Sequence, residues 1–222
     1  WRSRRWSRPL CSARRAARAL GSAVEVVWSD IGDREALVRA TADREAVIHD
    51  AALIPPASER DAGLTLRVNV EGTRNAIEAC QAAAARPRFV FASSISVFGP
   101  TPDRPPPRRA DEPLHPTDHY SRSKVACEEM IRASGLPWVI LRLGAALPAA
   151  PRGLGDFDAE SWFRIDPETR VEFVHPRDVA LAQVRAIEVP EAVGRVLLIG
   201  GGARCQVRMR DVGAVHLEAA GI

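Results

Sequence analysis

Tyr120 and Lys124 are the only tyrosine and the only lysine of a 222-residue chain, and they stand four residues apart. On a helix that spacing puts them on one face, one turn from each other. A phenol has an unperturbed pKa of about 10, too high for a base at neutral pH, and a neighbouring ammonium favours the phenolate and lowers it. Such a pair can exchange a proton with a substrate hydroxyl while a hydride passes to or from a nicotinamide. A solvated pair on a helix face is the competing reading. With one residue of each type, however, this ordered spacing arises by chance roughly once in two hundred placements. Ser94, within Ser93-Ser94-Ile95-Ser96-Val97-Phe98-Gly99, follows an apolar run and could hydrogen-bond the same substrate oxygen. Ser94, Tyr120 and Lys124 are therefore the expected catalytic residues.

Holding these side chains together takes a sheet with helices around it. Short apolar runs at 24–28, Ala46–His49, 88–93, Trp138–Leu143 and Arg195–Ile199 alternate with helical patterns at 33–40, 64–84, 120–134 and 178–187. That alternation predicts an α/β fold with a doubly wound parallel sheet, in which ligands bind beyond the carboxyl ends of the strands. Residues 100–116, dense in proline and charge, predict a surface loop where substrate would enter. Residues 148–169 show no clear period and read as a small irregular lobe.

Composition sets the outer bounds. With 46% hydrophobic and 27% charged residues the chain reads as soluble and globular. The net charge of +3 comes with acids and bases interspersed, so nucleic acid is not an expected partner. No apolar run approaches the ~20 residues that span a bilayer, which excludes a membrane partner and makes a cytoplasmic location the expectation. Cys11, Cys80, Cys127 and Cys205 include no C-x-x-C pair and suggest neither a disulfide framework nor a metal. His115 and His119 have a zinc-binding spacing, but Pro116 and a loop setting argue against it, and no metal is expected. Asp111 and Glu112 read as solvated loop charges, and Asp178 as a helix N-cap. Gly200, Gly201 and Gly202 follow a strand without G-x-G-x-x-G spacing and read as a turn.

At this point several strings, in order, resemble the extended short-chain dehydrogenases/reductases, and within them the NAD-dependent epimerase/dehydratase group. Asp30-Ile31-Gly32-Asp33 is similar to that family's D-hydrophobic-x-D, His49-Asp50-Ala51-Ala52 to its H-x-A-A, and Val68-Asn69-Val70-Glu71-Gly72-Thr73-Arg74-Asn75 to its V-N-x-x-G-T-x-N. Ser93 to Gly99 resembles S-S-x-x-V-Y-G, with Phe98 in place of a common tyrosine, and Tyr120 to Lys124 the Y-x-x-x-K motif. The resemblance implies a Rossmann-like domain and hydride transfer at a carbinol or carbonyl of a small molecule, with sugar nucleotides the commonest substrates. It places Asp30 and Ile31 at the adenine, Ala51 and Ala52 along the cofactor, and Tyr120 and Lys124 at the nicotinamide ribose. Asn69 falls on the helix behind the site, where a local backbone hydrogen bond is an equal alternative. A homodimer is the expected assembly. Residues 1–147 would form an incomplete NAD(P)-binding domain and 148–222 a shortened substrate lobe, from which strand 195–199 returns to the sheet.

The family's first βα unit, with its G-x-x-G-x-x-G loop, has no counterpart in residues 1–23, where Gly21 is the only glycine. Backbone N–H groups at such a loop and helix N-terminus hold the pyrophosphate, so weak dinucleotide binding and an inactive or non-catalytic protein form the alternative expectation. Seven arginines precede the first acid, Glu25. This is the composition of an organellar transit segment or a phosphate-binding arm, although a start at Trp1 favours a cut or altered beginning. Arg14 and Arg15 could meet a 2′-phosphate and lean towards NADP, the family leans towards NAD, and both cofactors stay open.

Overall fold

Parallel strands buried on both faces need apolar residues at successive positions, and Arg88–Ser94 has them: Phe89, Val90 and Phe91 are all buried. In the computed structural model, which describes residues 25–100, 106–146, 166–212 and 214, this strand lies inside a four-stranded sheet. In chain order the elements are α1 (Arg34–Thr41), β1 (Ala46–His49), α2 (Ala57–Arg60), α3 (Ala62–Thr65), a π-helical stretch (Leu66–Glu71), α4 (Gly72–Ala82), β2 (Arg88–Ser94) and a 3-10 turn (Ile95–Phe98). There follow α5 (His119–Ala133), β3 (Trp138–Leu143), β4 (Ala145–Ala146), β5 (Arg170–Val174), α6 (Pro176–Glu188), β6 (Arg195–Ile199) and β7 (Gln206–Arg208).

The sheet runs β1-β2-β3-β6, every pair parallel, with His49 beside Phe91, Ser94 beside Leu143 and Leu143 beside Ile199. Alternate residues point to opposite faces. Phe89, Phe91 and Ile140 pack against Ala76, Ile77, Cys80, Cys127 and Ile131 of α4 and α5. Val90, Val139 and Leu141 pack on the other face against Ala186 of α6 and Ala192. The result is the Rossmann-like α/β arrangement that the alternation predicts. Arg88 fastens α6 to the sheet, because its Nη1 donates to the carbonyls of Ala186, Ile187 and Val189 at 3.0, 2.5 and 3.0 Å. The Ala186 and Ile187 carbonyls are of the kind that a helix C-terminus leaves without partners; that of Val189 also accepts the Ala192 N–H at 3.2 Å.

Three details depart from expectation or lie beyond it. Residues 25–28 form no strand, and Val26, Val27 and Trp28 are exposed. A strand exists only as the partner of another, and among the described residues none lies beside this segment, which leaves β1 at the sheet edge. The apolar run there was a true composition signal without a ladder to join. A second sheet, β4-β5-β7, was not expected, although the alternation Arg170-Val171-Glu172-Phe173-Val174 carries its signature. The N-cap of α6 is His175 rather than Asp178: Nδ1 of His175 accepts from the Arg177 N–H at 3.1 Å, and Pro176 opens the helix. Asp178 contributes its charge to the first turn instead.

Gly200 and Gly201 lie against Glu172 and Phe173, and the Gly202 N–H donates to Glu172 Oε1 at 2.9 Å. The glycine cluster is thus packed on β5. Among the described residues no helix is long and apolar enough to cross a membrane. The arginine-rich start with Cys11, the segment expected to lack a glycine loop, and most of the irregular lobe fall outside the described residues.

Candidate active site

β2 delivers Ser94 to the carboxyl edge of the sheet, where its Oγ accepts from the Ser96 N–H at 3.1 Å and so caps the 3-10 turn. Gly99 ends that turn at φ +60°, and a side chain there would run into the His115 carbonyl. The backbone can therefore double back, with the His115 N–H on the Val97 carbonyl at 3.0 Å. This brings the loop before α5 alongside Ser94. α5 then starts at an Asp118 capping box, with Ser121 N–H on Asp118 Oδ1 at 2.6 Å, and presents Tyr120 and Lys124 on one face.

The three expected residues meet. Tyr120 is half-buried, with the Ser94 hydroxyl near enough to act on its phenol. Burial pushes its phenol above the ordinary value, the Ser94 hydroxyl pulls it back and the Asp118 charge adds to the rise. The net shift is upward, against the lowering that a neighbouring ammonium implies. Burial is the largest cause of that rise, and the Lys124 Nζ donates to the Ala92 carbonyl at 2.7 Å and lies over the Phe91 ring at 4.6 Å and the Tyr120 ring at 5.6 Å. Burial lowers the Lys124 pKa to about 8, with Cys127, Asp50 and Glu128 opposing.

The V-N-x-x-G-T-x-N segment explains how the surrounding loops are held. Asn69, buried within the π-helical stretch, accepts the Leu53 N–H at 2.7 Å and donates to the Leu53 carbonyl at 3.0 Å and to Ser123 Oγ at 2.9 Å. Its bonds reach a loop and the neighbouring helix rather than its own backbone. Gly72 allows Ile31 to lie against the helix, where any Cβ would clash with it, and Asn75 Nδ2 donates to the Ile31 carbonyl at 3.3 Å. Thr73 Oγ1 donates to the Asn69 carbonyl and lies 2.9 Å from His49 Nε2. One helix thus positions both segments expected along a cofactor: Asp30 and Ile31 on one side, Ala51 and Ala52 on the other. Asp30 and Ala51 are exposed, and Ile31 and Ala52 half-buried.

His49 is packed between Phe89 and Phe91, and burial, helped by the Lys124 charge, lowers its pKa to about 4. Its unfolded value is near 6.5. Between those values the unfolded chain binds the extra proton, so stability falls as pH drops from about 6.5 towards 4. About 3 kcal/mol is expected to be lost over that window. Urea unfolding at several pH values checks this: the slope should flatten in His49→Gln, and an unchanged slope would remove His49 as its cause.

Beneath the site lies a buried ion pair. Arg142 Nε and Nη2 donate to Glu128 Oε1 and Oε2 at 2.9 and 2.8 Å, Ser93 Oγ donates to Glu128 Oε1 at 2.7 Å, and Arg142 Nη1 donates to the Ala110 carbonyl at 2.9 Å. The Arg142 guanidinium also covers the Phe98 ring at 5.0 Å, so Phe98 serves as buried packing. Glu128 follows Lys124 by four residues on the same face of α5, a spacing that would have flagged it in the sequence. Of the remaining candidates, His115 and His119 are exposed. Asp111 and Glu112 are engaged within their own loop by Arg109 and Arg108.

Comparison with known proteins agrees with this architecture. Residues 4–152 match the model of the NAD dependent epimerase/dehydratase family. The chain is 29% identical to a D-erythronate dehydrogenase of Cupriavidus necator over 75% of its own length and 56% of the relative's. It is 30% identical to a ceramide reductase of Caulobacter vibrioides over 75% of this chain and 48% of that one. The chain therefore spans about half the length of the curated relatives it matches. The fold is similar to that of a dTDP-glucose 4,6-dehydratase of Streptomyces venezuelae, DesIV, solved with NAD and DAU bound, at a TM-score of 0.80 and 22% identity, covering 95% of this chain and 68% of that one. With more than half of its residues matched by the family model, the chain belongs to the NAD-dependent epimerase/dehydratase family.

Proposed function

We propose that this protein is an NAD(P)-dependent oxidoreductase or epimerase that transfers a hydride at a carbinol or carbonyl carbon, with Tyr120 as acid and base, Lys124 as its electrostatic partner and Ser94 as holder of the substrate oxygen. The observation that carries the reading is the convergence of Ser94 at the end of β2 with Tyr120 in the first turn of α5, with the Lys124 ammonium 5.6 Å from the Tyr120 ring. The two hydroxyls can share one substrate oxygen. As a carbinol is oxidised, its O–H proton passes to Tyr120 Oη; as a carbonyl is reduced, Tyr120 returns it. Burial keeps the phenol protonated at neutral pH, the form needed for reduction. Lys124 stabilises the phenolate during oxidation.

The small side chains of Ala51 and Ala52, with the exposed Asp30, fit a dinucleotide lying along this edge. Tyr120 and Lys124 would hold the ribose next to its nicotinamide. When bound, that cofactor supplies the hydride acceptor or donor and, in its oxidised form, a positive charge near the phenol. On this reading residues 1–147 carry the dinucleotide half and 148–222 the substrate lobe. NAD and NADP both fit, and the substrate is a polyhydroxylated small molecule such as a sugar nucleotide.

A panel of D-erythronate and UDP-glucose with NAD+ and NADP+, followed by nicotinamide absorbance and by product analysis, tests this. Turnover or epimerised product that needs Ser94 and Tyr120 supports the reading. Failure of the folded protein to bind either cofactor would replace it with a non-catalytic role for the scaffold.

A further inference from the structure

A helix begins with backbone N–H groups that no helical carbonyl can satisfy. In α5, which carries Tyr120 and Lys124, Asp118 Oδ1 takes the Ser121 N–H at 2.6 Å. The two donors before it are satisfied from far away in the sequence. Glu59, on the short α2, accepts the His119 N–H on Oε2 at 3.0 Å and the Tyr120 N–H on Oε1 at 3.1 Å. Ser58 Oγ donates to the same Oε1 at 2.9 Å and fixes the carboxylate's orientation. Thr65 Oγ1 holds the Ser58 carbonyl at 2.8 Å, which anchors α2 itself.

From this arrangement we infer that Glu59 is a positioning residue for Tyr120, tying the segment that carries Ala51 and Ala52 to the first turn of the catalytic helix. The inference rests on the proposed role of Tyr120. That segment has two attachments to α5, Asn69 at Leu53 with its bond to Ser123, and Glu59 at the backbone of Tyr120 itself. The first reaches Tyr120 only through Ser123, whose Oγ donates to the Tyr120 carbonyl at 2.7 Å, whereas the second takes the Tyr120 N–H directly. A negative charge is also the favoured partner of a helix N-terminus, and the bonds from His119 and Tyr120 help hold the Glu59 carboxyl below its ordinary value, so it is ionised at neutral pH. Without it, the first turn of α5 loses two bonds and Tyr120 loses its fixed height relative to Ser94, while Asp118 still caps the helix. Misplacement of a reacting group by a fraction of a bond length is expensive in rate and cheap in binding.

The test compares wild type with Glu59→Ala and Glu59→Gln by amide hydrogen exchange of the peptide containing residues 119 and 120, and by kcat and KM with the substrate that the panel identifies. Glu59→Ala should speed exchange at these two amides and lower kcat about tenfold, with KM within about twofold. Glu59→Gln keeps one acceptor oxygen and should fall between. Unchanged exchange at both amides in Glu59→Ala overturns the inference with or without a substrate. So does faster exchange with an unchanged kcat, or equal loss of protection across the whole chain. If Tyr120→Phe keeps full activity, the reading of Tyr120 fails instead, whatever the Glu59 variants do.

Discussion

Replacing Tyr120 with phenylalanine is expected to lower turnover by about 10²–10⁴-fold, the range that a positioned acid or base contributes, with little change in stability. The substitution removes one oxygen from a half-buried ring and keeps the ring's packing. What goes is the phenol hydroxyl beside Ser94, the group proposed to pass a proton to the substrate oxygen. Ser94→Ala should cost less, about a hundredfold, because Tyr120 still addresses the same oxygen. Steady-state kinetics with a thermal melt separate the two effects. A Tyr120→Phe protein that melts normally and turns over at the wild-type rate would remove Tyr120 from the chemistry.

The largest stability effect is expected beneath the site. Glu128→Ala leaves the Arg142 guanidinium, 1% exposed, without its bidentate partner, and takes the acceptor away from Ser93. Breaking a buried ion pair from one side costs about 3–5 kcal/mol, since the remaining charge stays desolvated. The same network ties α5 to β2, β3 and the Ala110 loop, so a melted Glu128 variant should lose activity with its fold. Burial alone would raise the Glu128 pKa, but bonds from Arg142 and Ser93 and the Arg142 charge hold it low. Its contribution is therefore present above the unfolded value near 4.5 and is lost as pH falls below it, adding to the loss from His49 at slightly higher pH. Guanidinium unfolding of Glu128→Ala, paired with Glu128→Gln, measures this. A change under 1 kcal/mol in the alanine variant would show that Arg142 finds other partners.

Much of this is legible in the sequence. The strands at Ala46–His49, Trp138–Leu143 and Arg195–Ile199 follow from apolar runs, and the meeting of Ser94 with Tyr120 follows from strand end and helix start. Residues 24–28 show the limit of such reading, because their composition suits a strand but pairing depends on a neighbour. Glu59 was invisible for a related reason. Its partners are backbone amides some sixty residues away, and an exposed acid on a four-residue helix has no period or spacing to mark it. Glu128 carried a readable signal in its position four residues after Lys124. Spacing to Lys124 predicts a lowered Tyr120 phenol, whereas burial, which spacing does not show, raises it.

The single tyrosine gives direct access to the central claim, since every tyrosinate signal in this chain comes from Tyr120. Titrating that signal with pH, alone and with saturating NAD+ or NADP+, asks whether the phenol lies next to the nicotinamide. The phenol should ionise above its ordinary value in the free protein, as burial requires, and at clearly lower pH when the oxidised, positively charged cofactor is bound. A titration that stays the same when cofactor binds would contradict the assignment of Tyr120 as the residue that exchanges the proton.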